Sequence, residues 1–88
     1  MAIEIITRRL CGGCQELKRR LKETGIEYVE HDAETVDGLA AWAWYDAPAL
    51  VPAVAIDGRL LPGVGDPDAL FEAVITGAQE TERANDER

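Results

Sequence analysis

Only two cysteines occur in this 88-residue chain, with one histidine, one methionine and one phenylalanine. A structural zinc site takes four ligands, mostly Cys and His. Two cysteines and His31 do not reach that number, so no metal site within the chain is expected. Positive charge is also scarce: 9 Lys and Arg stand against 17 Asp and Glu, a formal net charge of −8. That balance argues against nucleic acid or an anionic membrane as partner. Long apolar runs are missing as well. No stretch approaches the roughly 20 residues of a membrane-spanning helix. The run of Ile3, Ile5 and Ile6 is too short for the apolar part of a secretory signal, and arginines follow at once. A cytoplasmic location is the resulting expectation, and in a reducing compartment cysteines serve chemistry rather than scaffolding.

What the chain does have is the placement of its two cysteines, Cys11-Gly12-Gly13-Cys14. The pair lies between a short apolar run and a helical-looking segment. A Cys-x-x-Cys at such a junction points to a dithiol redox site. Residues three apart on a helix have Cβ atoms about 5–6 Å apart, and a disulfide needs roughly 3.5–4.5 Å. A tight first turn closes that gap, and Gly12 and Gly13 give the backbone the freedom to make it. As a staple the bridge would be weak, because so short a loop removes only about 2 kcal/mol of chain entropy.

The two sulfurs are not expected to be equivalent. Cys14, Leu17 and Leu21 share the apolar seam of an otherwise charged helix, which turns Cys14 inward. Cys11 precedes the helix, where free N–H groups favour a thiolate. Cys11 is therefore read as the attacking nucleophile and Cys14 as the resolving thiol. Six of the nine basic residues (Arg8, Arg9, Lys18, Arg19, Arg20, Lys22) lie beside the pair or on the helix after it. They either steer an anionic partner or form a solvated face with i,i+4 pairs Glu16–Arg20 and Arg19–Glu23; the second reading carries more weight.

Along the chain, residues 2–7 read as a strand and residues 13–24 as a helix stopped by Gly25. Residues 26–31 follow as a second strand, which makes a right-handed parallel βαβ unit. His31, at the end of that strand, is read as surface rather than catalytic. Residues 34–46 read as a second helix, with Val36, Leu39, Ala40 and Ala43 as its apolar stripe. Trp42 and Trp44 cannot both lie on that face; a core-edge role is favoured over partner contact. Residues 50–56 form a strand entered through Pro52. Asp57-Gly58 is a hairpin turn, and residues 59–61 return. Asp66 and Pro67 start a last helix as N-cap and first residue. Leu70, Phe71, Val74 and Ile75 are its stripe, and Gly77 is expected to end it. The chain is thus one domain over residues 1–78, with a polar tail at 79–88 expected to be disordered.

The order βαβ, helix, hairpin, helix, with Cys-x-x-Cys opening helix one and Val51-Pro52 opening the third strand, resembles the thioredoxin fold. The short length and the Ile56-Asp57-Gly58 turn look most like a glutaredoxin-type member. The resemblance implies an α/β thioredoxin-like fold, β-α-β-α-β-β-α, with a four-stranded mixed sheet flanked by helices. It implies a cis Pro52 against the cysteine pair, with Val51 offering backbone groups to an extended substrate. It places Arg8 where glutaredoxins contact a glutathione carboxylate. Gly65 and Asp66 then fall near the turn that holds the other end of glutathione, with Gly12 and Gly13 lining the site. The chain departs from the family pattern in having Gly-Gly between the cysteines, Leu50 where Thr is common, and Val64 between Gly63 and Gly65. The implied activity is thiol–disulfide exchange on a protein disulfide or glutathione, with a reductase as electron donor, by a monomer. No resident cofactor is expected, with glutathione as a co-substrate. The alternatives are a [2Fe–2S] cluster-binding module, which some family members lacking that proline form, and an idle interaction domain.

Overall fold

The computed structural model describes residues 2–48 and 50–86, with side chains described through Gly77. Its elements are β1 (Ile3–Thr7), α1 (Gly12–Glu23), β2 (Val29–Asp32), α2 (Val36–Tyr45), β3 (Ala53–Ile56), β4 (Arg59–Leu60) and α3 (Pro67–Asp86). The four strands form one mixed sheet in the order β2-β1-β3-β4. β1 runs parallel to β2 and antiparallel to β3, and β3 pairs antiparallel with β4. Asp57 and Gly58 both have positive φ, 50° and 83°, as the favoured two-residue hairpin turn requires.

Strand alternation sends side chains to two faces, and each face has its own core. On one, Ile3, Ile5 and Val54 pack with Leu17 and Leu21 of α1 and Leu70 and Val74 of α3. On the other, Ile6, Ala33 and Ala53 meet Trp42, Tyr45, Ala47, Val51, Leu60 and Val64. Burying a large aliphatic side chain is worth about 1.5–3 kcal/mol, so the first core holds α1, and with it the cysteine pair, against the sheet.

The ends of α1 follow their sequence signals. The Gly25 N–H bonds the Lys22 carbonyl at 3.1 Å and the Ile26 N–H the Leu21 carbonyl at 2.9 Å. That paired closure with a left-handed glycine is the Schellman stop. It also delays the next strand: Ile26 and Tyr28 pack on the core before β2 begins at Val29. The third strand likewise starts at Ala53 rather than residue 50. At α3 the Asp66 carboxylate accepts from the Asp68 and Ala69 N–H groups at 3.1 and 3.2 Å, an N-cap with Pro67 first in the helix, as expected.

Two expectations are corrected. All four residues of the stripe assigned to α2 (Val36, Leu39, Ala40 and Ala43) are exposed. The face toward the sheet is Gly38, Ala41, Trp42 and Tyr45, with the same helical spacing at a different phase. The cause is Gly38: a Cβ there would lie 1.7 Å from the Asp32 carbonyl oxygen. Backbone contact between α2 and the end of β2 sets the phase, and a hydrophobic pattern does not register a glycine. Trp42 therefore faces the core while Trp44 is 82% exposed. Second, α3 does not stop at Gly77 but continues to Asp86. The polar stretch 79–86 is helical backbone; Ala, Gln, Glu and Arg are good helix formers, and polarity alone does not choose between helix and coil. Residues 87–88 of the expected tail lie outside the described residues.

Candidate active site

Cys11 and Cys14 are joined by a disulfide with Cα atoms 5.2 Å apart. Cys11 is the N-cap of α1, with extended backbone (φ −108°, ψ 108°), and its sulfur accepts the Cys14 N–H at 3.1 Å. No acidic residue occupies the first turn of α1, so the partial positive charge at this helix end is not offset there. Negative charge on the Cys11 sulfur is favoured by that end and by the N–H aimed at it. Cys14 is completely buried, as are Leu17 and Leu21 on the same seam. Cys11 is only partly covered. Cys14 is thus turned inward, as the seam implies, while Cys11 is not.

The loop before β3 closes the other side. Its Val51–Pro52 bond is cis, and the Val51 carbonyl oxygen lies 3.9 Å from the Cys11 sulfur. Gly13 touches this loop closely: a Cβ on it would come 3.3 Å from Pro52 Cδ and 3.5 Å from Pro67 Cδ. Gly12 faces open space, with nothing within 4 Å of its Cβ direction. The Gly65 N–H donates to the Pro52 carbonyl at 2.8 Å, and Gly65 takes φ 89°. Cys11, Cys14, Gly12, Gly13, Val51, Pro52 and Gly65 are thus brought together. Asp66 adjoins them, with its carboxylate engaged in capping α3. Arg8 is exposed in the β1–α1 connection, its guanidinium carbon 5.9 Å from the centre of the Trp42 ring.

Sequence reasoning missed two neighbours. Leu10, just before Cys11, is fully exposed and holds a left-handed φ of 56°, a conformation unfavourable for a residue with a Cβ. Its only signal was an apolar residue beside the first cysteine. The contact of Trp42 with Arg8 has no signal in the sequence, because it depends on the phase of α2. His31 is not a free surface residue. Its Nε2 lies 2.9 Å from Glu4 Oε1, and the Tyr45 hydroxyl donates to the other Glu4 oxygen.

Among the described residues, no group of three or more His, Cys, Asp or Glu is placed to hold a metal ion. A [2Fe–2S] cluster takes four ligands, usually thiolates. One sulfur, that of Cys11, is accessible on each chain, so a shared cluster would draw its other ligands from a second chain and a small thiol. No helix among the described residues is long and apolar enough to cross a membrane.

A four-stranded mixed sheet with a Cys-x-x-Cys disulfide capping its first helix and a cis-proline against it defines a protein of the thioredoxin fold. Comparison with known proteins narrows this. The Glutaredoxin family model matches residues 3–61, about two thirds of the sequence, and the chain belongs to that family. Among solved structures it is similar to the thioredoxin-like protein BC3987, with 31% identity and a TM-score of 0.58 over 69% of this chain and 85% of that one. A point mutant of the same protein gives 28% identity and a TM-score of 0.61 over 69% and 84%. It is also similar to the holo form of glutaredoxin C1 from Populus tremula x tremuloides, with 27% identity and a TM-score of 0.60 over 80% of this chain and 70% of that one. No curated protein matches. Family and fold support a thiol-oxidoreductase type of role in general.

Proposed function

We propose that the chain is a small thiol–disulfide oxidoreductase that works through Cys11 and Cys14. The observation that carries this reading is the Cys14 N–H aimed at the Cys11 sulfur at 3.1 Å, at the N-terminus of α1, with Cys14 buried behind it. In the reduced protein the Cys11 thiolate attacks one sulfur of a substrate disulfide. The substrate S–S bond breaks, a mixed disulfide forms on Cys11, and the first substrate thiolate departs. Cys14, deprotonated, then attacks the Cys11 sulfur; the mixed disulfide breaks and the second substrate thiolate leaves. The substrate has gained two electrons and the protein has become the Cys11–Cys14 disulfide. Two electrons from glutathione or a dithiol reductase restore it.

Recognition in this reading uses Val51, whose backbone lies next to the reacting sulfur, for strand-like pairing with an extended substrate. Arg8 takes a substrate carboxylate, and Gly12, Gly13, Pro52, Gly65 and Asp66 shape the floor and far edge. A reducing, cytoplasmic setting suits a dithiol that must be regenerated.

Two variants test the roles. Cys11→Ser is expected to abolish turnover of any disulfide. Cys14→Ser is expected to accumulate a mixed disulfide on Cys11, read as the added mass of the substrate half. Full activity in Cys11→Ser would overturn the proposal. Parallel assays with glutathione plus glutathione reductase and with thioredoxin reductase identify the donor.

A further inference from the structure

The basic residues near the disulfide are largely spoken for. Lys18 pairs with Glu30, Arg19 with Glu16 and Glu23, Arg20 with Glu16 and Asp68, and Arg9 reaches Glu34 at 3.9 Å. Arg8 is different. In a chain with 17 acids against 9 bases, no carboxylate pairs with it among the described residues. Its guanidinium lies over the Trp42 indole instead. A ring face attracts the cation without occupying its N–H donors, so the planar fork remains available for a carboxylate.

Trp42 is gripped from its other side. Its Nε1–H is shared between the Ala47 and Pro48 carbonyls, at 2.8 and 3.0 Å. Those carbonyls begin the segment that leads to Val51 and Pro52, and Val51 packs in the same cluster as Trp42. One side chain therefore links Arg8, three residues before Cys11, to the segment that carries Val51, whose carbonyl oxygen lies 3.9 Å from the Cys11 sulfur.

We propose that Trp42 is a positioning residue for an anionic subsite: it holds the Arg8 guanidinium where a carboxylate-bearing disulfide is bound with its sulfur at Cys11. The inference rests on the exchange chemistry proposed above and adds a specificity to it. The carboxylate contact of Arg8 belongs to that reading; what is added is that Trp42, through Arg8, sets how far carboxylate-bearing disulfides are favoured over uncharged ones.

The test is single-turnover oxidation of the reduced protein, which needs no electron donor. Glutathione disulfide supplies the carboxylate, and bis(2-hydroxyethyl) disulfide is the uncharged control. The readout is the ratio of the two half-saturating concentrations. Trp42→Leu is expected to shift this ratio about two- to fivefold against glutathione disulfide, the range for an exposed cation–ring contact. Trp42→Phe keeps a ring and is expected to shift it less. Arg8→Gln removes the preference, and adding Trp42→Leu to it should change the ratio no further. High salt should shrink the wild-type preference. An unchanged ratio in Trp42→Leu, or effects of Trp42→Leu and Arg8→Gln that multiply, would overturn the inference. Because the uncharged disulfide is measured on the same sample, misfolding of a variant lowers both rates and does not mimic the result. Oxidation of Cys11→Ser by either disulfide at the wild-type rate would instead remove the exchange chemistry itself.

Discussion

At the scale of single residues, the two glycines between the cysteines have different tasks. Gly13 is confined, with Pro52 and Pro67 against it. Gly12 is the first residue of α1, its Cβ direction is open, and the residue before it has extended backbone. Each of those conditions suits proline, which favours the first helical position and an extended predecessor. Glycine there leaves the reduced loop freer, so closing the ring costs more entropy. Gly12→Pro is expected to make the disulfide harder to reduce. The stabilisation is about 0.4–1 kcal/mol, which corresponds to roughly 10–20 mV toward a more negative potential. Redox titration against glutathione measures it, and an unchanged or more oxidising variant would show that loop entropy is not the controlling factor.

At the scale of elements, most boundaries were legible because they are written in local chemistry. The Asp57-Gly58 turn, the Asp66-Pro67 helix start and the Gly25 stop are each made by the residue types their backbone angles demand. The cysteine pair was legible in the same way: Cys11 stands just before the helical segment, and the seam shared with Leu17 and Leu21 turns Cys14 inward. The orientation of α2 was not legible. The helix is apolar nearly all round, so its pattern fits more than one phase, and the deciding contact is a glycine against backbone. Gly38→Ala should expose that contact directly. Its methyl group would need the space of the Asp32 carbonyl, 1.7 Å away, and the gain in helix propensity of about 1 kcal/mol offsets only part of the cost of parting two elements. Overpacking of this kind costs about 1–3 kcal/mol or more, a drop in Tm of roughly 10 °C for a domain this small. Thermal melts by circular dichroism read it; a Tm equal to the wild type's would place α2 farther from β2.

At the scale of the whole molecule, a small domain with a limited core is tied across its sheet by polar groups. Glu4 of β1 links β2 through His31 and α2 through Tyr45. The Tyr45 hydroxyl first, then His31, holds the Glu4 carboxyl below its ordinary value of 4.5. The same bond raises the Tyr45 hydroxyl from 10.0 to about 12. A lowered acid stabilises the fold above its unfolded value and loses that share as pH falls through the folded one. A raised phenol stabilises it below 10.0 and loses that share as pH rises toward about 12. The stability difference between wild type and Glu4→Gln, about 1–2 kcal/mol, should therefore be greatest between about pH 5 and 10 and shrink at both ends. Urea titrations across pH measure it; a difference independent of pH would mean the network does not hold the sheet. The same packing buries one sulfur and leaves its neighbour accessible, and the function proposed depends on that division. Brief alkylation of the fully reduced, folded protein with iodoacetamide, followed by peptide mass spectrometry, tests it most directly. Cys11 should be labelled first, with Cys14 modified only after unfolding; equal labelling, or Cys14 ahead of Cys11, would contradict the assignment of nucleophile and resolving thiol.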